Sequence, residues 1–293
     1  MVIDSPKIVV GLADFFCWRE HKSSRPQYRK IIHNLSRTPA AISGVEFFLP
    51  HKDLFTAHAD TISDMLLGRN GLTRSVGRSL YNLPHNSIHL ESLKDSHAED
   101  DYVLVRKLQL IFETLGIREF TIHPDGVSLN RLRRLNSFVP PSVRISIENM
   151  DCRKVNFQTI DEMGRALELC PNLYCTFDIC HWVELGHRED APQLQQFFQR
   201  AKRQISKIHY SLPYGNHRAF GGIRTTHYPV TTSTYALESS FFQSAPSNIP
   251  WVLEGVIPLR SEAMLYNEIA ALRTVLSSSY QPQISDEALA SAA

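Results

Sequence analysis

Asp178 and His181 stand three residues apart in "TFDICHW" (176–182), directly after the short apolar run "LYC". A carboxylate and an imidazole at the end of an apolar run are costly to bury unless something compensates them. The pattern recurs along the chain. "SLYNLPH" (79–85) ends in His85, "EFTIHP" (119–124) carries His123 and "RISIEN" (144–149) carries Glu148. "SKIHYS" (206–211) carries His209 and "WVLEGV" (251–256) carries Glu254. A single histidine in such a place is ordinarily a hydrogen-bonded one, and a single carboxylate a loop cap. Six runs ending alike point to a shared site. Mixed nitrogen and oxygen donors suit zinc, manganese or iron. The expected metal site is built mainly from Glu148, Asp178, His209 and Glu254, with His85, His123 and His181 as further ligands.

Residues so far apart in sequence meet only if the elements carrying them converge. Two more short apolar runs, "KIVVGLA" (7–13) and "GVEFFLP" (44–50), bring the candidate strands to eight. Amphipathic segments lie between them, among them 101–116, 158–170 and 191–205, with apolar residues spaced by three and four. Strands alternating with helices predict a parallel sheet. Eight such units predict an α/β chain closed into a single (β/α)8 TIM barrel, with the metal site at the C-terminal rim of the strands. Pro84 is tolerable in its strand only near the end. No linker or composition shift divides residues 1–280, which are read as one domain; 281–293 is small, polar and expected to be a disordered tail.

Composition narrows the function classes. The chain has 293 residues, 43% of them hydrophobic, with a formal net charge of +1. That balance argues against a polybasic nucleic-acid binder. Five cysteines without a CxxC pair argue against a disulfide framework and a zinc ribbon. No apolar run is long enough for a membrane span, and no secretory leader pattern is visible, so a cytoplasmic protein without membrane contact is expected. No Gly-rich nucleotide-binding motif occurs.

The motifs "LPH" (83–85), "IHP" (122–124), "IEN" (147–149), "DICH" (178–181), "IHYS" (208–211) and "LEG" (253–255) together resemble the xylose-isomerase-like TIM-barrel superfamily. That superfamily includes sugar isomerases and epimerases and the endonuclease IV type of abasic-site endonuclease (AP endonuclease family 2). The resemblance spans nearly the whole chain and implies a metal-dependent enzyme with one to three divalent ions. Similarity to the isomerase branch implies one metal on Glu148, Asp178, His209 and Glu254. Glu148 and Glu254 would then exchange a proton beside a substrate carbonyl, and His181 would orient a hydroxyl. Similarity to the endonuclease branch implies more: one metal on His85, His123 and a bridging Glu148, a second on the four-residue set, and a third on His181 and His227. The third site departs from the branch's pattern, because Thr225 in "TTH" (225–227) stands where an aspartate is expected. Tyr210 and Ser211 also replace the Asn-Asp pair that follows the seventh-strand histidine in that branch.

An isomerase or epimerase acting on a small sugar, polyol or keto acid is the favoured expectation, and a phosphodiester hydrolase acting on abasic DNA the alternative. Nucleic acid is a partner only under the alternative; a homodimer is compatible with either. Trp18 in "DFFCWREH" (14–21) is a candidate wall for a small-molecule substrate. Arg218 and Arg224 in the long segment 215–229 are candidates for binding its anionic group. The arginines of "RLRRL" (131–135) read as the solvated face of a helix, and Cys175 and Cys180 as core thiols.

Overall fold

A computed structural model describes residues 6–11, 42–49, 82–90, 93, 98–188, 192–214, 227–233, 237, 239–255 and 262–279. Within them eight parallel strands close into a barrel in sequence order. They are β1 (Ile8–Gly11), β2 (Gly44–Leu49), β3 (Ser87–Leu90), β4 (Glu119–Ile122), β5 (Arg144–Glu148), β6 (Leu173–Asp178), β7 (Ile205–Tyr210) and β8 (Trp251–Leu253). The barrel closes by pairing β1 with β8, Val9 opposite Val252. The described helices are α1 (Ala98–Leu115), α2 (Leu129–Phe138), α3 (Ile160–Leu169), α4 (Ile179–Glu184), α5 (Pro192–Arg200), α6 (Ser239–Ser244) and α7 (Glu262–Ser279). The expected single (β/α)8 barrel is the observed fold. None of the described helices is long and apolar enough to cross a membrane.

Alternation along the strands sorts the side chains. Residues one apart face opposite sides of a strand. Val45, Phe47, Ile88, Leu90, Phe120, Ile122, Ile145, Ile147, Phe177, Ile208, Trp251 and Leu253 all join one apolar cluster with the helices. Their neighbours in the alternation are polar and equally buried: Glu46, Ser87, His89, Thr121, Ser146, Glu148, Thr176, Asp178, Lys207 and His209. Contacts across the barrel place these in the lumen. The hydroxyls of Thr121 and Thr176 lie 3.0 Å apart between β4 and β6, and Lys207 of β7 reaches Glu46 of β2. A (β/α)8 lumen is usually packed with branched apolar side chains. Here the apolar core is the layer between strands and helices, and the lumen is left for polar groups.

Two expectations need correction. Residues 82–85 form a turn, not a strand, and β3 starts only at Ser87. Pro84 has no N–H to give to a strand ladder, whereas "SIHL" pairs with both neighbours, His89 opposite Phe48 and Thr121. The second concerns "RLRRL". Arg131 is buried, its guanidinium bonded 2.8 Å from Asp101, which itself is fully buried. Arg134 holds the other oxygen of the same carboxylate at 2.7 Å. Arg133 between them is exposed as expected, while the other two form a clamp joining α1 to α2.

Candidate metal centre

At each strand end a buried apolar residue (Ile122, Ile147, Phe177, Ile208 or Leu253) precedes the polar donor. Glu148 ends β5 and Asp178 ends β6, while His123 and Glu254 lie one residue beyond β4 and β8. Asp178 also caps α4, its Oδ1 accepting the His181 N–H at 2.9 Å. That cap fixes the three-residue spacing seen in the sequence. Asn149 braces the same corner: its side chain accepts the Asp178 N–H at 2.6 Å and donates to the Asp178 carbonyl at 2.9 Å. The asparagine of "IEN" therefore has a structural task beside the glutamate.

Four overlapping groups have ligand atoms within 4.8 Å of one another; three hold the expected donors, namely His89, His123 and Glu148; Glu148, Asp178, His209 and Glu254; and Asp178, His181 and His227, and the fourth is Glu46, His89, His209 and Glu254. Glu148 belongs to the first two and Asp178 to the second and third. Within the first, Glu148 Oε2 is 3.1 Å from His89 Nε2 and 3.0 Å from His123 Nε2. The two imidazole nitrogens face each other at 2.8 Å. Within the second, His209 Nδ1 is 2.8 Å from Glu254 Oε1 and 3.0 Å from Glu148 Oε1. In the third, His181 Nδ1 lies 2.8 Å from the Asn149 carbonyl, which only accepts. The proton must sit on Nδ1, leaving Nε2 as the free donor atom. His227 Nδ1 lies 2.8 Å from the Ser211 hydroxyl.

The site fits cations on two counts. Four lumen carboxyl groups (Glu46, Glu148, Asp178, Glu254) face one lysine, Lys207, leaving an excess of three negative charges when all four are ionised, as ligation requires, and the imidazoles are neutral. Glu148 Oε2 and Asp178 Oδ2 are also buried without a well-formed hydrogen bond. Short approaches between these atoms with poor angles are what lone pairs aimed at a common point produce.

Proton affinities reflect the crowding. Burial alone would raise Glu148, but His209, His123 and His89 hold it well below the usual carboxylate range. Burial would depress His209, but Glu254, Glu46 and Glu148 push it well up. Glu254 is pushed up to about 8 by burial, which the charge of His209 only partly offsets. His227 is pushed down to about 4, chiefly by burial.

The structure brings together seven of the expected site residues: Glu148, Asp178, His209, Glu254, His123, His181 and His227. His85 is not among them. Its N–H bonds to the Ser43 carbonyl just before β2, at the N-terminal end of the strands and so at the opposite rim. His89, four residues further on and within the true β3, takes the place expected of His85. Its signal was the polar-apolar alternation of "SIHL", the same as in "ISIE" (145–148). Glu46 was also missed, because it lies inside a strand and not at its end. Trp18, Arg218, Arg224 and Thr225 lie outside the described residues, as does 281–293.

No family model matches the chain, and no curated protein matches it. Solved structures do. The crystal structure of AsfvAP:AG superposes with a TM-score of 0.61 at 12% identity, over 93% of this chain and 99% of that one. A protein described as a putative sugar phosphate isomerase/epimerase, from Anabaena variabilis, gives 0.60 at 13% identity, over 94% and 99%. A xylose isomerase-like TIM barrel protein from Mycobacterium smegmatis, in complex with magnesium, gives 0.55 at 11% identity, over 95% and 98%. The chain thus has the fold of the xylose-isomerase-like barrels. At these identities the likeness is one of fold, and reaction chemistry has to be argued from the site.

Proposed function

We propose that this chain is a divalent-metal-dependent enzyme with a multinuclear centre, and that it hydrolyses a phosphate diester. The observation that carries the reading is the sharing of Glu148 and Asp178 among three contiguous donor groups. A mononuclear isomerase site needs only Glu148, Asp178, His209 and Glu254; the buried His89 and His181 and the partly buried His123 and His227 would then be surplus imidazoles. Divalent cations supply Lewis-acid polarisation of phosphoryl oxygens and a nucleophile from water at neutral pH. Asn149 fixes Asp178 and His181 against the β5–β6 rim, so neither must reorganise when substrate binds. The excess carboxylate charge of the lumen repels a phosphate anion from the bare protein, so anion binding depends on the loaded state.

The isomerase or epimerase reading has its own support. The four-residue set is complete and buried, and Glu254 keeps a proton to about pH 8 while Glu148 stays ionised. Two carboxyl groups with affinities pushed apart suit proton exchange at a carbon. One experiment separates the two readings. Protein loaded in turn with zinc, manganese and iron is assayed on a simple aryl phosphodiester and an abasic duplex at low salt, and on an aldose and ketose panel in D2O. Diester cleavage lost in Glu148→Ala and His123→Ala supports hydrolysis. Deuterium incorporation into sugar C–H bonds that survives His123→Ala, without diester cleavage, replaces it with the isomerase.

A further inference from the structure

A second polar tier underlies the donor groups. Two residues before His209 on β7 stands Lys207, and across the lumen on β2 stands Glu46; both are buried. The Lys207 ammonium is paired with Glu46 Oε2, and the Ser87 hydroxyl donates to the same oxygen at 2.6 Å. Glu46 Oε1 then lies 2.9 Å from His209 Nε2, close enough to pair although the two are not aligned as a well-formed hydrogen bond. The other nitrogen of that ring, Nδ1, faces Glu254 and Glu148. The imidazole of His209 therefore separates the two tiers, one nitrogen to each.

A neutral imidazole has one N–H and one lone pair, and which nitrogen carries which is set by its surroundings. A carboxylate anchored on one oxygen by a lysine and a serine can only accept with the other. We propose that Glu46, anchored by Lys207 and Ser87, is a positioning residue that takes the Nε2–H of His209 and so fixes its Nδ1 lone pair toward Glu148, Asp178 and Glu254. The inference rests on the metal reading of the upper tier. Glu46, His89, His209 and Glu254 also have ligand atoms within 4.8 Å of one another, but the ammonium of Lys207 already supplies the cation that Glu46 would seek. Glu46 is thereby kept out of the ligand set and made into its support. Carboxylates placed behind ligating histidines raise their basicity and lock their orientation, and their loss typically costs about 10–100-fold in metal affinity.

The test uses the double variant Glu46→Gln/Lys207→Met, because Glu46→Gln alone would leave a buried ammonium without its partner. Zinc affinity is measured by competition with a chelating dye. Histidine tautomers are read from long-range 1H–15N correlations on the zinc-loaded protein, the His209 signals being those lost in His209→Asn. The expected result is a folded double variant whose affinity at the His209 site falls about 10–100-fold. In the wild type, His209 should be bound through Nδ1 with a proton on Nε2. A folded double variant binding within twofold of wild type, or a wild-type His209 bound through Nε2, overturns the inference. A wild-type chain that takes up no divalent cation overturns the metal reading beneath it instead.

Discussion

Replacing Glu148 with alanine is the perturbation that most sharply separates a shared ligand from a private one. Glu148 touches three imidazoles, His123 at 3.0 Å, His89 at 3.1 Å and His209 at 3.0 Å, using one oxygen for the first two and the other for the third. Four-ligand structural zinc sites bind with roughly 10–16 kcal/mol in all, or ~3 kcal/mol per ligand. Removing one ligand from one site should thus weaken it about 100-fold. Because Glu148 serves two groups, Glu148→Ala should weaken both by about that factor. His123→Ala should weaken only the group with His89, and Glu254→Ala only the group with His209. The assay is metal content by elemental analysis on protein purified without added metal, followed by calorimetric titration of each apo variant. Circular dichroism of the metal-free variants guards against misfolding. If Glu148→Ala lost one equivalent and kept another at wild-type affinity, the bridging geometry would be wrong. If it kept all its metal, the centre would not be where the carboxylates converge.

Three further outcomes follow from other parts of the molecule. Asp101→Ala removes the carboxylate that holds buried Arg131 and half-exposed Arg134, and should cost about 3–5 kcal/mol in urea unfolding, as expected when a buried pair loses one partner; a cost under ~1 kcal/mol would mean the clamp is dispensable. Gly255→Ala should loosen the His181–His227 group while sparing the Glu148 set, because a Cβ there would meet the Pro229 backbone at 2.6 Å and push the segment next to His227; unchanged metal content and unchanged anion binding would refute this. Burial raises the pKa of Glu268, whose carboxylate accepts the Val230 and Thr231 N–H groups. A raised acid binds its proton more tightly in the folded chain, so its contribution to stability falls as pH rises from the ordinary glutamate range through the folded value. The stability advantage of wild type over Glu268→Gln should therefore be larger at pH 4 than at pH 7, and an advantage that grows with pH would refute the assignment.

How much of this was legible in the sequence depends on where each donor sits along its strand. Glu148, Asp178, His209 and Glu254 stand at or just past the ends of apolar runs, and an apolar run that stops at a carboxylate or an imidazole is conspicuous. The barrel followed from the same runs, because their number and spacing leave few other ways to bury them. His89 was hidden by its context. "SIHL" is only four residues long and sits among polar neighbours, while "SLYNLPH" just before it offers a longer apolar stretch that also ends in histidine. The decision between them turns on pairing: Gly44 must pass the His85 carbonyl so closely that no Cβ fits, which is a tertiary fact.

Glu46 and Lys207 were hidden for a different reason. Each is a charge in the middle of an apolar strand, "GVEFFL" (44–49) and "ISKIHY" (205–210), where period-two reading treats it as an ordinary solvent-facing residue. In an open sheet that reading would stand. In a closed barrel there is no solvent-facing side, because one face meets the helices and the other meets the lumen. A charge alternating with apolar residues must then be matched across the lumen. Ser87 before His89, Thr121 before His123, Ser146 before Glu148, Thr176 before Asp178 and Lys207 before His209 repeat one spacing, a polar residue two positions beneath each of these five donors. That repetition is visible without coordinates, and once closure is granted it predicts a floor under the donors. Closure makes the lower tier part of the site: the side chains that neutralise and orient the donors come from the same strands, one pleat repeat below.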